Sequence, residues 1–317
     1  MKKIALVMTG GLRQFARRTE EDPVSCADSW REIADRYDMD VFAFVDNDDF
    51  FHDDTQYFPD KYKNRDIEIT NSLHCRYHKN INFLNYDESY QMIQTILQDT
   101  FKHHLKYYHI QESMDNEATM KTIYNEDMHS IFFNYMPYCK EGKRSYNGRV
   151  ALLSQFFKLK KGFDLLKEYE NKNKFEYDIV IRCRPDCKLY NLVDEIDLTK
   201  LDFTNTVACG SCPWHIYDWW AIGNRMIMEE YCAYYDKYMS INLKYSAYIL
   251  LYMHNGRVFD FSIQNSNIPQ KYEEYKGLVR HDVSDSAEFG LTFLIRTLFG
   301  YNFNQYGIKY KIEKFYT

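Results

Sequence analysis

Glycine and proline are scarce in this 317-residue chain, at 12 and 6, which excludes a collagen-like or low-complexity architecture. Long apolar runs are missing too. The best candidate, YSAYILLYM at 245–253, is about half of the roughly 20 residues that a membrane span needs. There is no basic excess: 40 Lys and Arg against 46 Asp and Glu leave a net charge of −6, so no general attraction draws the chain to a phosphate backbone and nucleic acid is not an expected partner. Eight cysteines, at 26, 75, 139, 183, 187, 209, 212 and 232, lack the regular spacing of a disulfide scaffold, and reduced thiols are expected. Cys209-Gly210-Ser211-Cys212 is the one CxxC pair, and it supplies only half of a zinc site. The amino end, MKKIALVMTGGLR, is too short and lacks the small-residue cleavage site of a signal peptide. The expected location is the cytoplasm.

What is present is the composition of a folded globular protein, 45% hydrophobic and 27% charged. Aromatics reach 17%, enough to line a groove as well as a core. No linker interrupts the chain, so one large α/β domain in two fused halves, 1–190 and 191–317, is expected.

Residues 4–8 (IALVM) form a continuous apolar run that ends in Thr9-Gly10-Gly11, the pattern of a buried parallel strand leading into a loop. Pro23 opens an expected helix to about residue 37, and 40–45 (DVFAFV) read as a second buried strand ending at Asp46-Asn47. Strand, helix and strand make a right-handed βαβ unit and therefore a parallel sheet. Further expectations are a surface loop over 48–66, a short strand at 81–84, a helix over 87–109 and a long core helix from Val150. A third buried strand at 178–181 follows. Beyond it, 207–209 and 219–222 read as strands, 226–239 and 245–254 as helices, 257–263 as extended and 286–299 as helical.

In a parallel sheet, ligands collect at the carboxyl ends of the strands. The first end offers Thr9, Gly10, Gly11 and Arg13: small residues admit a ligand to the backbone, and arginine binds phosphate oxygens with paired donors. A tight turn explains the glycines equally well. Asp46 and Asn47 at the second end suit a ribose or a base edge, or simply a turn. The third end carries Arg182, Arg184 and Asp186 in alternation. In an extended segment, which Pro185 favours at Arg184, these three would share one side. Two guanidinium groups and a carboxylate at a strand exit mark a diphosphate site, or else an internal ion-pair network. Asp218, in YDWWAIGN, is the candidate for a carboxylate that takes a proton from a hydroxyl. Trp219 and Trp220 beside it suit either stacking on a ligand ring or core packing. Gln155 and Lys158 occupy the polar surface of the long helix, and Arg149 before them is a further candidate phosphate contact.

Taken in order, MTGGLRQF (8–15), DVFAFV (40–45), LLSQFFKLKKGFDLL (152–166), YDIVIRCRPDC (177–187) and DWWAIGN (218–224) resemble a GT-A-type glycosyltransferase family of bacterial surface-polysaccharide clusters and large DNA viruses. The resemblance spans about residues 1–225. It implies a GT-A-like, Rossmann-type sheet and a donor that is a nucleoside diphosphate sugar, with a glycan hydroxyl as acceptor. It also implies that Arg184-Pro185-Asp186 stands where the family's relatives carry a DxD motif. Asp186 would then be the carboxylate that reaches a divalent metal (Mn2+ or Mg2+), and His281 of Val279-Arg280-His281-Asp282 a further ligand. Arg184 departs from the pattern, since a fixed positive charge repels a cation and itself neutralises diphosphate. Two other readings compete: a catalytically inactive nucleotide- or glycan-binding protein on the same fold, and a dinucleotide enzyme, which the missing third glycine of the first turn disfavours.

Overall fold

The structure, a computed structural model, describes residues 2–12, 15, 16, 18, 22–47, 86–112, 146–211, 216–233, 252–254, 257–259 and 300–312. In chain order its elements are β1 (Ile4–Gly11), α1 (Cys26–Tyr37), β2 (Asp40–Asn47), α2 (Tyr86–Phe101), β3 (Leu105–Glu112), α3 (Tyr146–Asn173), β4 (Ile179–Cys183) and β5 (Cys187–Leu189). Then follow β6 (Thr206–Ser211), β7 (Ile216–Asn224), α4 (Arg225–Cys232), β8 (Tyr252–His254), β9 (Arg257–Phe259), β10 (Asn302–Asn304) and β11 (Tyr310–Ile312). The chain divides into two compact units. The first takes Met1–Ser113, Lys161–Leu201 and Gly307–Thr317, the second Met114–Lys160 and Asp202–Tyr306. The units are thus interleaved rather than cut once near residue 190. One reason is that β11 returns from the carboxyl end to pair with β5.

In the first unit the strand order is β4-β1-β2-β3, and every neighbour is parallel. The expected α/β class, a parallel sheet flanked by helices, is realised here. β1 and β2 are apolar on both faces because both faces are covered. The steps from β1 to β2 to β3 run in one direction, and right-handed crossovers put α1 and α2 on one face. The return from β3 past β1 to β4 runs the other way, which sends α3 to the opposite face. Contacts agree: a Cβ built on Gly162 of α3 would lie 2.7 Å from Thr9 Cγ2 and 2.9 Å from Val7 Cγ1.

α1 begins at Cys26, three residues beyond Pro23, because Ser25 and Asp28 form a capping box. The Ser25 hydroxyl accepts the Asp28 N–H at 3.1 Å, and the Asp28 carboxylate accepts the Ser25 N–H at 3.1 Å. The helix expected over 87–109 stops at Phe101. Ile93, Leu97 and Phe101 do bury a helical face, but Lys102 turns left-handed at φ 47 and the chain enters β3. Pairing with β2 gives Tyr107, Tyr108 and Ile110, all strand-favouring residues, a ladder that no single-chain pattern displays.

In the second unit β6 lies between β10, parallel to it, and β7, antiparallel to it. Asn224 caps α4 by accepting the Ile227 N–H at 2.9 Å. The helix expected over 245–254 is corrected at its end: Tyr252–His254 is a strand paired antiparallel with Arg257–Phe259, His254 opposite Arg257. The strand expected at 81–84, the helix at 286–299 and the loop at 48–66 lie outside the described residues. Among the described residues no helix is long and apolar enough to cross a membrane.

Candidate functional site

The strand order of the first unit reverses between β1 and β4. Such a reversal splays the loops that leave the two strands and opens a crevice at their carboxyl ends. From β1 this edge receives Gly10 and Gly11, from β4 the segment Arg184-Pro185-Asp186. Gly10 has φ 124, a conformation side chains rarely adopt. A Cβ there would lie 3.6 Å from Pro185 Cδ, so the two strand exits touch.

The 184–187 segment is not extended as expected. It is a tight turn in which the Cys187 N–H donates to the Arg184 carbonyl at 3.1 Å, with Pro185 in the second position that its fixed φ favours. Turning the chain brings residues 184 and 186 together. Arg184 Nε donates to Asp186 Oδ1 at 3.0 Å and Nη2 to Oδ2 at 2.6 Å, a bidentate pair. The arginine side chain is 25% exposed and the aspartate 6%. Arg182 separates from both: it stands in register with Val7 in the sheet and is fully buried. A ligand arriving from solvent meets Arg184, while Arg182 is a buried cation beneath the edge.

Register and alternation collect further polar groups on the α3 face of this edge. Val7 aligns with Arg182 and Phe42, Thr9 with Phe44, and Asp46 with Gly11 and Gln111. Thr9, Asp46, Gln111 and Arg182 therefore share that face, and Asn47 points to the other. Asp46 and Asn47 are buried members of β2, not turn formers. Thr9 Oγ1 and Gln111 Nε2 are buried without a hydrogen-bond partner among the described residues. Buried polar atoms left in this state are what a ligand-binding edge offers, because a ligand then satisfies them. The helix expected over 87–109 covers the start of β3, and the residues from about 110 onward carry no expected element, so Gln111 was missed; the strand-favouring residues before it were the available signal.

Burial also governs the thiols nearby. Cys183 and Cys187 are both pushed well above the usual thiol range, chiefly by desolvation, which makes them inert core residues rather than nucleophiles. Cys209 is likewise buried and its thiol pushed up by burial; Cys212 lies outside the described residues.

In the second unit Asp218 is buried on β7, and Gln155 of α3 donates its amide to Asp218 Oδ2. Strand alternation splits the neighbouring aromatics. Tyr217 and Trp219, both partly exposed, stack on one face with centroids 4.3 Å apart and planes 4° from parallel. Trp220 is fully buried on the face of Asp218. The two tryptophans therefore point to opposite faces: Trp220 is core, and Trp219 stacks on Tyr217 at the other face.

Arg149 lies in the first turn of α3, described for its backbone only. Arg13 and His281 lie outside the described residues. For a divalent metal, the described donor set at the first unit's edge does not fit. Each Asp186 oxygen already accepts from the Arg184 guanidinium, and a cation bound to those oxygens would sit against a fixed positive charge. The chain matches no protein-family model and no curated protein sequence.

Proposed function

We propose that the protein is a nucleotide-sugar-dependent glycosyltransferase of GT-A-like organisation, moving a monosaccharide from a nucleoside diphosphate sugar to a hydroxyl of a glycan acceptor. The observation that carries this reading is the meeting of Gly10 with the Arg184-Pro185-Asp186 turn at the strand-order reversal. A glycine at positive φ admits a diphosphate to the backbone, and an arginine oriented by its own carboxylate partner faces the oxygens. The resemblance of five ordered sequence blocks to GT-A-type enzymes supports the same reading.

In this reaction the bond from the anomeric carbon to the diphosphate breaks as the acceptor oxygen bonds to that carbon. Negative charge builds on the departing diphosphate, and a preorganised guanidinium stabilises it better than mobile water does. Asp186 acts as the residue that orients Arg184. For inversion of configuration a carboxylate takes the acceptor proton, the role proposed from the sequence for Asp218, which Gln155 holds within its own unit. With retention, the departing phosphate takes that proton instead. Asp46, Gln111 and Thr9 supply contacts for the nucleoside.

A second reading, a catalytically inactive nucleotide- or glycan-binding protein, is favoured by one observation: the acid in the metal position is engaged by Arg184. Incubation with a panel of nucleoside diphosphate sugars, with and without chelator, separates the two. Release of nucleoside diphosphate that survives chelation supports the arginine-based transferase, whereas binding without turnover supports the inactive protein. Thermal stabilisation by NAD alone, with no response to nucleoside diphosphates, overturns both.

A further inference from the structure

We propose that Asp38, His103 and His104 form a binding site for a single transition-metal ion of the zinc class, with Asp35 as the carboxylate that orients His104. This site is separate from the transferase reading. It lies at the amino-terminal edge of the first unit's sheet, opposite the edge that carries Gly10 and Asp46.

The topology creates the juxtaposition. Asp38 closes α1 in a left-handed conformation, φ 46, immediately before β2. His103 and His104 belong to a single 3-10 turn, Lys102–His104, immediately before β3. β2 and β3 are parallel neighbours, so their entrances lie side by side. One ligand atom from each of Asp38, His103 and His104 falls within 4.8 Å of the others. The two imidazole rings are 3.9 Å apart between centroids.

The second observation is the carboxylate behind the buried ring. His104 is 5% exposed in its side chain, and its Nε2 lies 3.0 Å from Asp35 Oδ1, across 69 residues of sequence. With Nε2 facing the Asp35 carboxylate, Nδ1 is the ring nitrogen that a metal would take. A carboxylate on the far nitrogen of a ligating histidine is the usual outer support of such a site, where it fixes the tautomer and raises ligand basicity.

The donor set selects the class of ion. Two imidazoles and one carboxylate, with positions left to water, suit zinc or its first-row neighbours, whereas magnesium and calcium require oxygen. Tetrahedral zinc, with bonds of about 2.0–2.1 Å, holds its ligands roughly 3.4 Å apart. The three atoms must close by an ångström or so, and the exposure of Asp38 and His103 lets their side chains move that far. Two carboxylates, Asp35 and Asp38, match the ion's charge. The Lys106 ammonium, which donates to the His103 carbonyl at 2.8 Å, is itself paired with Asp40 at 3.1 Å.

The test is zinc titration of the metal-stripped full chain by calorimetry, with the cobalt-substituted absorption spectrum as the geometric readout. Other histidines and cysteines of the chain also take up zinc weakly, so the comparison with variants decides. Asp38→Asn tolerates the left-handed backbone and His103→Gln is exposed, so both keep the fold, checked by unchanged melting without metal. One equivalent of zinc is expected to bind, weakened at least tenfold in either variant. Asp35→Asn, a positioning change, is expected to weaken it about 10- to 100-fold and to alter the cobalt spectrum. Zinc is expected to raise the melting temperature of the wild type and not of Asp38→Asn. Absence of zinc binding in the wild type, or equal affinity in wild type and both surface variants, overturns the proposal.

Discussion

Arg184 and Asp186 meet across a single four-residue turn, the guanidinium Nε 3.0 Å from Oδ1 and Nη2 2.6 Å from Oδ2. The pair makes Asp186 the orienter of an arginine, and so separates the two residues' roles. Arg184→Ala is expected to weaken nucleoside diphosphate binding at least tenfold, about 1.4 kcal/mol. Arg184→Lys keeps the charge but not the fork, and stays close to the alanine variant. Asp186→Asn retains part of the affinity. Calorimetric titration with a nucleoside diphosphate checks all three, and unchanged affinity in Arg184→Ala removes the arginine from the site.

Asp218 is held by Gln155 on the buried face of β7. For an inverting enzyme, Asp218→Asn is expected to lower transfer about 10²- to 10⁴-fold, the range of a lost general base, with donor affinity unchanged. Gln155→Ala, which removes only the amide that holds the carboxylate, lowers kcat by less. A panel assay of kcat and KM reads both. Normal turnover in Asp218→Asn assigns the carboxylate to structure alone.

Gly162 is required by packing rather than by its backbone. Alanine in a helix interior gains about 1 kcal/mol over glycine, but here the new Cβ meets Thr9 Cγ2 at 2.7 Å and Val7 Cγ1 at 2.9 Å. Both are stiff, buried strand side chains, and such overpacking costs about 1–3 kcal/mol. Gly162→Ala is therefore expected to lower the melting temperature. Thr9→Ser deletes the closer of the two atoms, and the double variant recovers part of the loss. A thermal melt of the three proteins reads the outcome; a more stable Gly162→Ala would contradict it.

Asp28 carries the acid sensitivity of the first helix. The Arg18 hydrogen bonds above all, together with those of Ser25, hold its carboxyl well below the usual carboxylate range, against burial, which pushes it up. Its contribution to stability is fully present above about pH 4, where the unfolded chain's aspartate is ionised, and is lost as pH falls toward the lower folded value. The stability advantage of wild type over Asp28→Asn is expected to shrink steadily in melts below pH 4. Ser25→Ala, which loses the cap, costs about 1 kcal/mol near neutral pH. An advantage that stays constant down to pH 2 would rule out the linkage.

The residues now gathered at the edge were legible to different degrees. Thr9, Gly10, Asp46 and Asn47 stood out because each follows a continuous apolar run. Arg182, Arg184 and Asp186 stood out as charges at a strand exit. Their relation was not legible: alternation put all three on one side, whereas a turn whose closing hydrogen bond joins Arg184 to Cys187 folds two of them onto each other. Gln111 was hidden because β3 owes its existence to a partner strand far away in sequence. The split of Trp219 from Trp220 followed from strand alternation and was available in principle.

By itself the amino-acid order determined the strands β1, β2 and β4 and the helix α3, because burial on both faces of a sheet, or along one helical stripe, writes its period directly into the residue pattern. The tertiary structure alone decided which strands pair, in what order they reverse, and hence which side chains come together: Thr9 with Asp46 and Gln111 on one face, Asp38 with His103 and His104 at one edge. The physical reason is that hydrogen-bond registers between parallel strands join residues dozens of positions apart, and no local preference records that choice.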